Sequence, residues 1–266
     1  MSSSTVTTGA ASSAPVRRRE LTGVYNLRDT GGYPADGGLT RWGTLYRSDA
    51  LHRLNDAGRA ALVELGVSRI VDLRGAGERA EAPSAISGLG IEAHHVPVFD
   101  DAAPAVVAHA PTSLEQVYGH MVDDRGPQLA AAIRLIADAA PGDAVLVHCT
   151  AGKDRTGLVV AFALLAAGVD REAVIDDYAA TAAHLEGEWA EAMLAGLADR
   201  GLTPTPEIVS LVTASPAGLL DRLLTRIDTE YGTISEYLRA QGLTEDELTR
   251  LRAALVDDSA RERNVA

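Results

Sequence analysis

The segment Ala144-Val145-Leu146-Val147-His148-Cys149-Thr150-Ala151-Gly152-Lys153-Asp154-Arg155-Thr156-Gly157 changes character twice within a short length of chain. Residues 144–148 are a continuous apolar run, the pattern of a strand buried on both faces. A short loop containing one glycine follows, and then an apolar helix over 156–167 with Gly168 as its C-cap. Strand, glycine loop and helix in this order form the local unit of an α/β fold.

Outward from this unit the alternation continues. Residues 43–47, 68–73 and 91–98 read as strands, rich in β-branched or aromatic side chains. Asn55 is placed to cap a helix over 56–65 that Gly66 ends, and Pro127 stands in the first turn of a helix running to residue 140. The glycine-rich stretch at 31–38 reads as turns. Beyond Asp170 the spacing of Ala and Leu is helical, and Thr244 with Glu247 forms a capping box. The pattern predicts an α/β domain with a small central sheet and a helical C-terminal third. Its expected bounds are 20–256, between a polar leader at 1–19, expected to be disordered, and a polar tail at 257–266. Residues 185–202 are amphipathic through Trp189, Met193, Leu194 and Leu197, which fits a helix packed on the sheet or a lid over a site.

Composition narrows the function. The chain of 266 residues carries 24 Lys and Arg against 37 Asp and Glu, a net charge of −13. Duplex binding needs a basic face, so nucleic acid is not an expected partner. The longest apolar run, 158–169, is too short to span a bilayer, and no stable membrane insertion is expected. A single cysteine excludes a disulfide framework and a multi-cysteine metal cluster, and neither metal nor cofactor is expected. The arginines at 17–19 precede no apolar core, so the expected location is cytoplasmic, with signal-independent export left open. Oligomeric state is not legible. Charge is uneven, however: residues 1–80 carry 11 basic and 8 acidic side chains, and residues 81–266 carry 13 and 29. Lys153 is the only lysine.

The lone cysteine stands at the strand end, where its chemistry changes meaning. A thiol attacks only as thiolate, and helix N-terminal amides with nearby cations favour that form. Backbone amides from Thr150 to Arg155, including Ala151, Gly152, Lys153 and Asp154, form a nest suited to a phosphate or sulfate dianion. Arg155, six positions after Cys149, reaches round the loop with a planar fork for two anion oxygens. Thr156 is placed to hydrogen-bond the sulfur. A buried cysteine alone is most often a small core residue, and His148 alone a satisfied core histidine. Together, nucleophile, anion cradle and arginine specify phosphoryl transfer through a cysteinyl-phosphate.

The run from His148 to Gly157 resembles the C-x5-R phosphate loop of the protein-tyrosine phosphatase superfamily. Its Lys153-Asp154-Arg155-Thr156-Gly157 exit resembles the atypical bacterial branch, family 3, which includes the tyrosine phosphatase B group of mycobacteria. Asn26-Leu27-Arg28-Asp29-Thr30-Gly31-Gly32, Leu45-Tyr46-Arg47-Ser48-Asp49, Ile70-Val71-Asp72-Leu73-Arg74 with Glu78, Asp176-Asp177-Tyr178, and Tyr231-Gly232 with Tyr237-Leu238 are similar to further segments of that branch. The resemblance covers residues 20–256. It implies a sheet flanked by helices, metal-independent hydrolysis, Cys149 as nucleophile, Arg155 as phosphate clamp, Thr156 supporting the thiolate and His148 orienting the loop.

The resemblance leaves the general acid open. Asp154 matches the aspartate implicated in this branch. Asp101 lies where dual-specificity phosphatases carry theirs, with Asp100 beside it. Asp72 is a third candidate, or a residue orienting Arg155. Lysine at 153 resembles inositide phosphatase loops, so the expected partners are a phosphotyrosine protein or a phosphoinositide. The expected activity is a protein-tyrosine phosphatase of broad specificity. Phosphoinositide hydrolysis as the main activity and a phosphate-binding pseudo-enzyme stay as alternatives, and a rhodanese-type sulfurtransferase fits the loop poorly.

Overall fold

The computed structural model describes residues 16–99, 113–199, 201 and 203–259. The strands in chain order are β1 (Arg28–Asp29), β2 (Pro34–Ala35), β3 (Gly38–Thr40), β4 (Leu45–Ser48), β5 (Val67–Asp72), β6 (Glu92–His95), β7 (Ala144–His148) and β8 (Val256–Asp257). The central sheet has the order β1-β4-β7-β5-β6, with β1 antiparallel to β4 and the remaining pairs parallel. β7, the strand that ends at the cysteine, lies in its middle.

Both faces of that sheet are covered, and the strand period explains how. Val145 and Val147 of β7 join Leu45, Val71 and Leu73 in a large core under the helices. Ala144 and Leu146 point the other way and meet Tyr46, Val67 and Ile70 with Leu51, Leu54 and Leu62. Truncating a side chain such as Leu146 to Ala would cost roughly 2–5 kcal/mol. The first face is built by α3 (Leu114–Asp124), α4 (Gly126–Ala137), α5 (Asp154–Ala166), α6 (Arg171–His184), α9 (Ala217–Tyr231), α10 (Ile234–Ala240) and α11 (Glu245–Leu255). The second is covered by α1 (Asp56–Glu64), capped by Asn55 through Gly58 N–H, and by the segment before β1. α2 (Ala76–Glu81) follows β5, while α7 (Glu188–Asp199) and α8 (Pro206–Thr213) pack on each other. Among the described residues no single helix is long and apolar enough to cross a membrane.

Three sequence expectations change. The glycine-rich stretch is not turns alone: β2 and β3 form a hairpin, with β8 added to it through Leu39 opposite Asp257. Asp36-Gly37 between β2 and β3, with Gly37 at φ +84°, is a hairpin signal the turn reading passed over. Asp257, expected in the polar tail, is thus a strand residue. Arg17, expected in the leader, donates to the carbonyls of Gly31 (2.8 Å) and Gly32 (2.9 Å) and stacks on Tyr33.

Candidate active site

Parallel strands bring their carboxyl ends to one edge, the usual place for a ligand in an α/β sheet. Here the chain leaves β4 at Asp49, β5 at Leu73-Arg74 and β7 at Cys149, and Asp49, Arg74 and Cys149 line one cavity of about 350 Å³. Cys149, Thr150, Ala151, Lys153, Asp154 and Arg155 form its floor. Leu114 and Val117 of α3 form one wall, and Trp189, Met193 and Leu197 of α7 with Leu211 of α8 form the cover. Cys149 itself is buried.

The loop is held from behind. Thr150 carbonyl accepts from Ala50 N–H at 3.0 Å, Ala151 carbonyl from Asn26 Nδ2 at 3.0 Å, and Gly152 carbonyl from Arg47 Nη2 at 2.9 Å. In a planar trans peptide the N–H of the following residue opposes the carbonyl. With those carbonyls turned outward, the amides of Ala151, Gly152 and Lys153 point into the loop, the geometry of an anion nest. Gly152 permits this approach: its φ is +67°, and a Cβ there would collide with the Ser48 carbonyl.

Arg155 is buried and fixed by Glu78, whose Oε2 accepts from Nη1 at 2.6 Å and whose Oε1 accepts from Nη2 at 2.9 Å. Thr150 Oγ1 also donates to Glu78 and accepts from Arg155 Nη2 at 3.3 Å. Burial pushes the Glu78 carboxyl up, but hydrogen bonds and charge from Arg155 outweigh it and hold it below the usual range. For Arg155, burial acts against the charge and Glu78 more than restores it, so the guanidinium stays ionised.

Asp154 opens α5, and its Oδ1 accepts from Tyr118 hydroxyl at 2.8 Å and lies 3.6 Å from Lys153 Nζ. Lys153 is 1% exposed and donates to the Leu211 carbonyl at 2.5 Å, so the single lysine joins the loop to the cover. His148 Nδ1 donates to the Cys149 carbonyl at 3.1 Å, and burial holds the imidazole below its ordinary value despite Asp72 nearby.

Other expected residues stand elsewhere. Asp72 does not orient Arg155: its carboxylate accepts from Arg74 Nε at 2.9 Å and Nη2 at 2.8 Å, a bidentate pair two residues away. Thr156 Oγ1 is buried with no hydrogen-bond partner among the described residues, so no bond from it to the sulfur forms. Asp100 and Asp101 lie outside the described residues.

Several contributors were not singled out from the sequence. Glu78, Asn26 and Arg47 lie in segments similar to the bacterial branch, and nothing in their spacing says what they touch. Asp49 lines the cavity and accepts from the amides of Tyr25 and Asn26, both at 3.0 Å, while burial pushes its carboxyl up to about 6. Tyr118 carried no signal at all.

The fold is an α/β domain with a cysteine-bearing loop at the end of its central strand, and residues 19–257 match the profile of the tyrosine phosphatase family. The chain belongs to that family. It is 32% identical to the triple specificity protein phosphatase PtpB of Mycobacterium tuberculosis, over 90% of this chain and 99% of that one. It is likewise 32% identical to a tyrosine-protein phosphatase of Nostoc commune, over 79% of this chain and 73% of that one. The chain is thus an atypical bacterial tyrosine phosphatase resembling PtpB, and a phosphatase enzyme.

Proposed function

We propose that the chain hydrolyses phosphotyrosine in proteins through a cysteinyl-phosphate. The observation that carries this reading is the meeting of Cys149 and Arg155 on one cavity floor, around a loop whose carbonyls are bonded outward. The Cys149 thiolate attacks phosphorus; the S–P bond forms as the ester P–O bond breaks. Arg155 and the inward amides hold the equatorial oxygens, whose charge they stabilise most in the transition state. Asp154 gives its proton to the departing phenolate, then takes one from the water that breaks the S–P bond and releases phosphate. His148, through the Cys149 carbonyl, orients the loop. Among the described residues Asp154 lines the cavity and Asp72 does not, which favours Asp154 of these two.

The apolar walls at Leu114, Val117 and Trp189 suit an aromatic ring above the phosphate. α7 and α8 act as a lid that admits substrate and shields the thiolate from oxidation. Broader specificity, including phosphoinositides, rests on Lys153 and on the triple specificity in the name of the mycobacterial relative. A second phosphate would draw the ammonium away from Leu211.

Hydrolysis of p-nitrophenyl phosphate tests the core of this reading. It is expected to survive EDTA, to be blocked by vanadate and to vanish in Cys149→Ser. Turnover that needs metal, or persists in the serine variant, would overturn it. Phosphotyrosine peptide, phosphoserine peptide and phosphoinositide, compared in wild type and Lys153→Ala, test breadth; equal losses on all three would remove the second-phosphate role.

A further inference from the structure

The geometry points to Tyr118 as a positioning residue for Asp154, backed by Tyr178. This rests on the proposed role of Asp154 as general acid and extends it to two buried hydroxyls.

Proton accounting gives the direction of the chain. Tyr118 hydroxyl donates to Asp154 Oδ1 at 2.8 Å and lies 2.7 Å from Tyr178 hydroxyl. A phenol has one proton. With the Tyr118 proton on Asp154, Tyr178 must be the donor within the pair. The relay therefore runs from Tyr178 to Tyr118 to Asp154. Both rings are fully buried and meet edge to face. Burial keeps both phenols protonated, Tyr178 being pushed up to about 12. They donate hydrogen bonds and keep their protons.

Gly157 belongs to the same device. A Cβ on it would lie 3.0 Å from the Tyr178 ring, so the glycine at the exit of the phosphate loop lets that ring lie against α5. The sequence segment Asp176-Asp177-Tyr178 thus meets the loop at its helix, and the hydroxyl pair reaches its first residue.

The consequence for Asp154 is a division of labour between its oxygens. Oδ1 is committed to Tyr118, with Lys153 Nζ at 3.6 Å. No described residue donates to Oδ2, which leaves it as the atom that carries the transferred proton. As that proton passes to the leaving oxygen, negative charge grows on the carboxylate. The bond from Tyr118 becomes charge-assisted and strengthens in the transition state. The hydroxyl stabilises the product of proton donation, so its value grows as the leaving group needs the proton more.

Tyr118→Phe keeps the ring and removes only the oxygen. The expected result is a kcat loss of about 10- to 100-fold on phenyl phosphate, with a smaller loss on p-nitrophenyl phosphate and little change in KM. Tyr178→Phe is expected to shift both rates in the same direction by less, and it serves if the first variant folds poorly. Asp154→Asn is measured on the same two esters. If it loses more on phenyl phosphate while Tyr118→Phe and Tyr178→Phe lose equally on both, the positioning role is wrong and the acid stands. If Asp154→Asn itself shows no leaving-group dependence, the acid reading falls and the relay with it. In the Asp154→Asn background, Tyr118→Phe is expected to add no further leaving-group dependence; an added dependence would place the hydroxyl on another group.

Discussion

Glu78 holds Arg155 by both carboxylate oxygens, at 2.6 and 2.9 Å, across 77 residues of chain. The same Glu78 accepts from Gly75 N–H at 2.8 Å, so one side chain caps α2 and aims the arginine. Two parallel charge-assisted bonds fix the plane of a guanidinium as well as its position. The loop hydroxyl of Thr150 joins them, which ties the wall of the cavity to its floor.

Glu78→Gln keeps the shape and removes the charge. The amide can accept from only one nitrogen of the fork, so Arg155 loses its fixed plane. The expected loss in kcat/KM on p-nitrophenyl phosphate is about 10- to 100-fold, the worth of a bond between charged groups. Glu78→Ala leaves a buried cation unpaired and is expected to cost about 3–5 kcal/mol of stability besides. Steady-state rates and thermal unfolding of both variants check this. Unchanged phosphate affinity in the glutamine variant would show that Arg155 needs no partner to point inward.

Much of the frame was legible because it is local. The apolar run at β7, Asn55 at the start of α1 and the Thr244–Glu247 box each depend on neighbours within a few residues, and each forms as expected. The parts that could not be read depend on distant pairs. Asn26 reaches Ala151 across 125 residues, and Arg28 reaches Asp177 across 149; neither spacing has a period to detect. Asp72 misled because its register beside His148 on β7 puts it near the loop, while its own neighbour Arg74 captures both oxygens. Local geometry won over proximity. β2 and β3 are too short to show alternation, although the Asp36-Gly37 turn marked them.

Asp177 anchors the back of the site. Its Oδ1 accepts from Arg28 Nε at 2.8 Å and from Tyr33 hydroxyl at 3.0 Å, and its Oδ2 accepts from Arg47 Nη1 at 2.5 Å. Arg47 in turn supports the Gly152 carbonyl. Burial pushes the Asp177 carboxyl up, but the charges of Arg28 and Arg47 overcome it and hold it well below the usual carboxylate range. The folded value thus lies below the unfolded one, near pH 4. Its stabilisation is fully present above that pH and is lost as pH falls toward the folded value. Asp177→Asn is expected to lower stability at neutral pH by about 3–5 kcal/mol. It is also expected to flatten the acid limb of the stability profile. Denaturant unfolding at a series of pH values below neutrality checks both. Identical slopes in variant and wild type would remove Asp177 from the acid response.

Lys153 connects the loop to the helices above it. Leu211 lies in the last turn of α8, where carbonyls lack partners within the helix, and the ammonium caps one of them at 2.5 Å. A cation at a helix C-terminus also meets the negative end of the dipole. Lys153→Met keeps an unbranched chain of similar reach and removes the charge, so α8 loses its tie to the floor. If α7 and α8 form a lid, it is expected to open more often. Trp189 reports this directly, since in a Trp42→Phe background it is the one remaining tryptophan and is buried against the cavity. Its emission is expected to shift to the red and to be quenched more readily by acrylamide. Inactivation by peroxide is expected to accelerate as the Cys149 sulfur becomes accessible. A Lys153→Met variant with unaltered Trp189 quenching and an unaltered peroxide rate would show that packing of Trp189, Met193 and Leu197 alone keeps the helices down.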